Sequence, residues 1–178
     1  MNQKKLRYYL IGMPGIGKSY AISQFENQSK IECIDLDTSI ESSYHLTVPQ
    51  IIHDKGIEFF RLYEAITLRK LNKLTNTTLV ACGGGTPCFH DNISWINRSG
   101  ISIYLHGSPE YLLQNYTQHQ IKRPLSNDKD LDQYISKLYH YRIEYYQQAH
   151  FTIDVEKNSD NIKNIISNII VDNSANNG

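Results

Sequence analysis

Apolar residues along this chain gather into short runs separated by stretches of helical spacing, and the alternation continues from end to end. The runs Leu6 to Ile11, Ile31 to Ile34, Thr78 to Cys82, Ile101 to Leu105 and Phe151 to Val155 are rich in β-branched or aromatic residues and predict five short strands. Between them the pattern predicts helices starting near Gly17, Val48, Glu58, Asp91, Pro109 and Asp130, with a last one from about Asn161 to Val171. Strands alternating with helices imply an α/β layer fold, a parallel sheet with helices on both faces. One long polar stretch breaks the alternation, QHQIKRPLSNDKD from Gln118 to Asp130, and such a segment is a lid candidate. The ends, MNQ and DNSANNG at residues 172–178, are expected to fray. With no internal repeat and no low-complexity linker, residues 1–178 are expected to form one domain.

Composition narrows the possibilities. A chain of 178 residues can bury a real core without disulfides or structural metal. Eighteen basic and eighteen acidic residues cancel, so no overall field favours nucleic acid or an anionic membrane, although a local basic pocket stays compatible with that balance. Cys33, Cys82 and Cys88 are odd in number and lie in or beside apolar or glycine-rich segments, which fits a reducing compartment better than a disulfide framework or a metal cluster. The start MNQKKLRYYL lacks the apolar core of a signal peptide, and no window approaches the roughly twenty apolar residues of a membrane span. A cytoplasmic location is the expectation.

The candidate chemistry begins at GMPGIGKS, Gly12 to Ser19, between the first strand and the first helix. A loop that wraps an oligophosphate must aim several backbone N–H groups inward, and Gly12, Gly15 and Gly17 permit the tight conformations required. The spacing G-x-x-x-x-G-K-S places Lys18 where it can reach the outer phosphates and Ser19 where its hydroxyl can ligate Mg²⁺. The complete motif in this context points to ATP or a similar nucleotide. After the second strand comes DLD, in which Asp35 and Asp37, if the chain stays extended, point the same way; one can serve a metal shell while the other accepts a proton. A strand end that caps a following helix through Asp37, Thr38 or Ser39 fits the same residues. In GIEFFRLYEAITLRKL, Arg61 and Glu64 stand one helical turn apart, as a fixed guanidinium clamp for an anion or as an ordinary surface pair. TLVACGGGTP runs a strand into Gly83, Gly84 and Gly85, either a close-approach surface for a ligand or a plain turn before Pro87.

Taken in order, GMPGIGKS, DLD, G-x-E-F-F-R-x-x-E, GGG, KRPL and R-x-x-Y-Y resemble the shikimate kinase family over about Leu6 to Ile170. The resemblance implies a P-loop kinase three-layer fold with a five-stranded parallel sheet, flanking helices and a mobile lid. It also implies transfer of the ATP γ-phosphoryl group to the 3-hydroxyl of shikimate, with Mg²⁺, in aromatic amino-acid synthesis. Under it, Gly12, Pro14, Gly15, Ile16, Gly17, Lys18, Ser19, Tyr20 and the lid residue Arg123 would contact ATP, and Ser19 and Asp35 would serve the metal. Asp37, Arg61, Gly83, Gly84, Gly85 and Arg142 would bind shikimate, with Asp37 as base and Lys18 and Arg123 assisting catalysis. Val48, Ile52 and Phe60 lie on segments that flank the substrate in the family, and each equally suits core packing. A monomer acting on ATP and shikimate, without nucleic-acid or membrane partners, is expected. The chain departs from the family pattern in having no arginine in the lid region before Arg123, in TPCF after the glycines, and in Ser126 after RPL. A gluconate or nucleoside-monophosphate kinase is the nearest alternative enzyme, and a catalytically dead binding protein is the alternative outside enzymes. A GTPase switch lacks its N-K-x-D guanine-reading segment here.

Overall fold

The computed structural model describes residues 6–26, 30–118 and 131–175. Five strands among them form one parallel sheet in the order β2-β3-β1-β4-β5: β1 (Arg7–Ile11), β2 (Glu32–Asp35), β3 (Thr78–Ala81), β4 (Ile101–His106) and β5 (Phe151–Asp154). The central strand carries the run Tyr8, Tyr9, Leu10 and Ile11, all fully buried, as a strand covered by helices on both faces requires. The edge strand β5 instead leaves Phe151 partly exposed.

The helices are α1 (Lys18–Ser23), α2 (Leu36–Tyr44), α3 (Val48–Lys55), α4 (Ile57–Lys70), α5 (Asn92–Ser99), α6 (Pro109–Gln118), α7 (Leu131–Tyr146), α8 (Val155–Asn158) and α9 (Ile162–Ala175). Local chemistry sets their ends. Thr47 and Gln50 form a reciprocal capping box at the start of α3, with Pro49 in its first turn, and Gly56, at φ 87°, turns the chain from α3 into α4. Helix α4 then buries Phe60, Glu64, Ala65 and Leu68.

Two expectations change. Helix α2 is absent from the predicted helices and corresponds to the alternative reading of DLD as a strand end capping a helix; the cap is Asp35, which accepts the Thr38 N–H at 3.1 Å. The supposed frayed tail is helical as far as Ala175, because Asn173 Nδ2 and Ser174 Oγ donate back to the carbonyls of Ile169 and Ile170 at 2.8 and 2.7 Å. Residues 176–178, the MNQ end and residues 119–130 of the lid candidate, Arg123 included, lie outside the described residues; Gln118 is the last residue of α6.

This topology positions the site. Leu10 of β1, Ala81 of β3 and Asp35 of β2 lie abreast near the carboxyl edge of the sheet. The three segments that follow them, GMPGIGKS, GGG and the start of α2, are therefore neighbours although far apart in sequence. Ligands bind at this edge of open α/β sheets.

Candidate active site

Beyond β1 the chain enters the glycine loop with Gly12, Gly15 and Gly17 at φ 144°, 75° and 97°, a region strained for any residue with a side chain. At Gly12 space is lacking as well, since a Cβ would lie 2.5 Å from the Leu105 carbonyl oxygen. Lys18 opens α1 and turns back into the loop, its Nζ donating to the carbonyls of Gly12 and Met13 at 2.9 and 2.8 Å. Burial lowers its pKa to about 8, against the pull of Asp37. Held among the described residues by two carbonyls, this ammonium can exchange them for phosphate oxygens. Ile16 is buried while Tyr20 stands exposed on α1. Ser19 Oγ donates to Asp35 Oδ2 at 2.6 Å. A hydroxyl and a carboxylate at the mouth of a phosphate loop are hard oxygen donors, and they suit Mg²⁺, which takes few protein ligands and keeps water and phosphate oxygens for the rest.

Asp37 is placed differently from the expectation of an extended DLD. Asp35 ends β2 with extended backbone and caps α2, while Asp37 lies in the first helical turn. The two carboxylates therefore part: Asp35 faces Ser19, and Asp37 faces the glycine turn, where a Cβ on Gly83 would lie 2.8 Å from Asp37 Oδ1. Burial, then the neighbouring carboxylates of Glu64 and Asp35, raise the Asp37 pKa to about 6, with Lys18 and Arg61 opposing. Such a group is mostly ionised at neutral pH yet holds a proton better than an ordinary carboxylate does.

Around the same turn stand two guanidinium groups. Arg61 donates from Nη1 to Glu64 Oε2 at 2.8 Å, with the Arg61 side chain 12% and the Glu64 side chain 0% exposed. This is a buried ion pair rather than a surface one. The Arg61 guanidinium also lies over the rings of Phe89 and Phe60, 4.6 and 5.0 Å from their centroids. Arg142, on α7, is 9% exposed, and a Cβ on Gly84 would come within 3.0 Å of its Nη1. A Cβ on Gly85 would overlap Arg61 Nη2. Arg61 Nε and Arg142 Nε and Nη1 are buried with no hydrogen-bond partner among the described residues. Buried charged donors are costly to leave unpaired, so a pair of them at a close-approach turn points to an anionic ligand.

The structure thus brings together Lys18, Asp35, Asp37, Arg61, Gly83, Gly84, Gly85 and Arg142 with the glycine loop. Phe60 is a core residue, while Val48 and Ile52 are half-buried against the core. Sequence reasoning gave no role to Tyr146, which stands only as the last residue of R-x-x-Y-Y, or to Thr86 and Phe89, which stand only in the TPCF departure. Tyr146 donates its hydroxyl to the Gly84 carbonyl at 2.5 Å, and its position one turn after Arg142 was the signal that could have found it. Thr86 and Phe89 announce nothing locally, because their partners come from α4.

The contact between the two loops is tight enough to test. A Cβ on Gly84 would lie 2.6 Å from Pro14 Cδ, a rigid ring atom of the glycine loop. Gly84→Ala should therefore push the two loops apart and lower kcat/KM by roughly 10², the usual cost of a misplacement near 1 Å. Steady-state kinetics within threefold of the parent would show that the loops can give way.

A family model described as shikimate kinase matches residues 14–172. A shikimate kinase of Parabacteroides distasonis is 33% identical over 154 residues, covering 85% of this chain and 88% of the relative. Among solved structures, shikimate kinase from Acinetobacter baumannii in complex with shikimate superposes with a TM-score of 0.82 at 26% identity, covering 98% of this chain and 96% of the other. Shikimate kinase from Bacteroides thetaiotaomicron gives a TM-score of 0.74 at 29% identity, covering 84% and 85%.

Proposed function

The chain belongs to the shikimate kinase family, and from that premise we propose that it transfers the γ-phosphoryl group of ATP to the 3-hydroxyl of shikimate. The observation that carries this reading is the pair of buried, incompletely bonded guanidiniums, Arg61 and Arg142, set against Gly85 and Gly84 on the same turn whose Gly83 faces Asp37. Two guanidiniums can hold one carboxylate. Shikimate has one carboxylate and a ring of hydroxyls, so gripping the first fixes which hydroxyl reaches the base.

In the reaction the shikimate oxygen forms a bond to the γ-phosphorus as the bond to the bridging β,γ-oxygen breaks, leaving ADP. The hydroxyl proton passes to the Asp37 carboxylate and then to solvent. Lys18 gives up its bonds to the Gly12 and Met13 carbonyls for phosphate oxygens, supplying positive charge where negative charge gathers. Ser19 and Asp35 are proposed to hold Mg²⁺, whose contribution when bound is charge neutralisation across the β- and γ-phosphates. Arg123 is assigned, from its place in KRPL, to the transferring phosphoryl group. No helix among the described residues is long and apolar enough to cross a membrane, and we place a monomeric enzyme in the cytoplasm.

Release of ADP from ATP and Mg²⁺, measured over shikimate, other hydroxylated acids, gluconate and nucleoside monophosphates, tests the assignment. Shikimate should give the largest kcat/KM. Equal or faster turnover of gluconate or a nucleoside monophosphate would overturn it.

A further inference from the structure

The TPCF segment departs from the family pattern, and its threonine is buried at the centre of the site. Thr86 is fully buried and donates its hydroxyl to Glu64 Oε1 at 2.6 Å. The other oxygen of the same carboxylate, Oε2, accepts from Arg61 Nη1 at 2.8 Å. Behind Thr86, Asn92 Nδ2 donates to the Thr86 carbonyl at 2.8 Å, and Arg69 Nη1 donates to Asn92 Oδ1 at 2.8 Å. Arg69 is itself fixed on the carbonyls of Ala65 and His90 at 2.9 Å each. A continuous run of side chains thus leads from α4 through α5 and the glycine turn back to α4, ending on the guanidinium of Arg61.

We propose that Thr86 is a positioning residue for the substrate carboxylate, acting through Glu64 on Arg61. The proposal rests on the shikimate kinase reading and deepens it. A carboxylate with two free oxygens can rotate and offer either to a guanidinium, or swing toward both Arg61 and Arg142. With Oε1 engaged by Thr86, Glu64 presents only Oε2 to Arg61, and presents it in one orientation. That leaves the remaining edge of the guanidinium, with its unpaired Nε, for the ligand. Buried polar networks define one geometry when every member is satisfied and become costly when one is left open. Thr86 itself touches neither substrate; its effect must appear on shikimate and not on ATP.

The test compares Thr86→Val, which keeps the shape and removes the hydroxyl, with Thr86→Ser, which keeps the hydroxyl. Thr86→Val should raise the KM for shikimate roughly tenfold, the scale of one lost charge-assisted hydrogen bond. The KM for ATP should stay within about twofold and kcat within about threefold, and Thr86→Ser should restore most of the affinity. The effect should also vanish when Thr86→Val is placed in an Arg61→Ala background, because the pathway then has no end; a merely structural role would persist there. If Thr86→Val does not fold, Thr86→Ala carries the same comparison. An unchanged shikimate KM, equal losses for both substrates, no recovery in Thr86→Ser, or an undiminished loss in the Arg61→Ala background would each overturn the proposal while leaving the enzyme assignment intact. A parent protein that does not turn over shikimate would remove both.

Discussion

Asp37→Asn should lower kcat by about 10² to 10⁴, the range for loss of a positioned general base, while both substrates still bind. Asparagine keeps the size of the side chain and its place in the first turn of α2, but it cannot take the proton from the attacking hydroxyl. The environment explains why the loss should fall on the chemical step. Burial and the charges of Glu64 and Asp35 raise the Asp37 pKa to about 6, so the free carboxylate is itself destabilised in the site. Removing its charge relieves that repulsion instead of opening a hole in the binding surface. Shikimate and nucleotide affinities, measured by calorimetry, should change by no more than a few-fold. A kcat near that of the parent would mean that in-line positioning carries the reaction without a base; a large loss of shikimate affinity would recast Asp37 as a binding group.

Arg142→Ala should weaken shikimate binding by about 10- to 150-fold, equivalent to the roughly 1.5 to 3 kcal/mol of a hydrogen bond to a charged group. Nucleotide affinity should move little. The asymmetry follows from placement. Arg142 lies on α7 at the glycine turn, and its Nε and Nη1 have no hydrogen-bond partner among the described residues. Truncation therefore removes two donors with no other partner among the described residues, and with them a contact belonging to one ligand. Arg61 would be a poorer probe, since removing it also strands the fully buried Glu64. Equal losses for shikimate and ATP would contradict the role of Arg142 as half of a carboxylate clamp.

What could be read from the sequence divides along physical lines. The central strand and the loop after it were legible because a strand covered on both faces must be apolar throughout, and because a glycine loop that cradles phosphate admits few substitutions. The Arg61–Glu64 pair was legible because one helical turn brings the two residues together. Helix α2 was legible only as the capped alternative at DLD, since it buries only Leu36 and Ile40 and is started by a side-chain cap rather than by a periodic pattern. Its start changes the meaning of DLD: the two acids serve different parts of the site because the chain turns helical between them. The polar end of α9 read as a fraying tail, yet its asparagine and serine donate to the helix's own carbonyls. Thr86 carried no role in the sequence beyond its place in the TPCF departure, because the carboxylate that gives its hydroxyl a purpose belongs to Glu64, distant in sequence.

The central claim is that a carboxylate clamp and a single base together select one hydroxyl. The most direct measurement is the identity of the product formed from ATP, Mg²⁺ and shikimate, read by phosphorus–proton correlation NMR. The account predicts one phosphate ester, coupled to the proton on carbon 3 and formed in equal amount with ADP. Phosphate on another hydroxyl, a mixture of esters, or ADP released without any ester would contradict it.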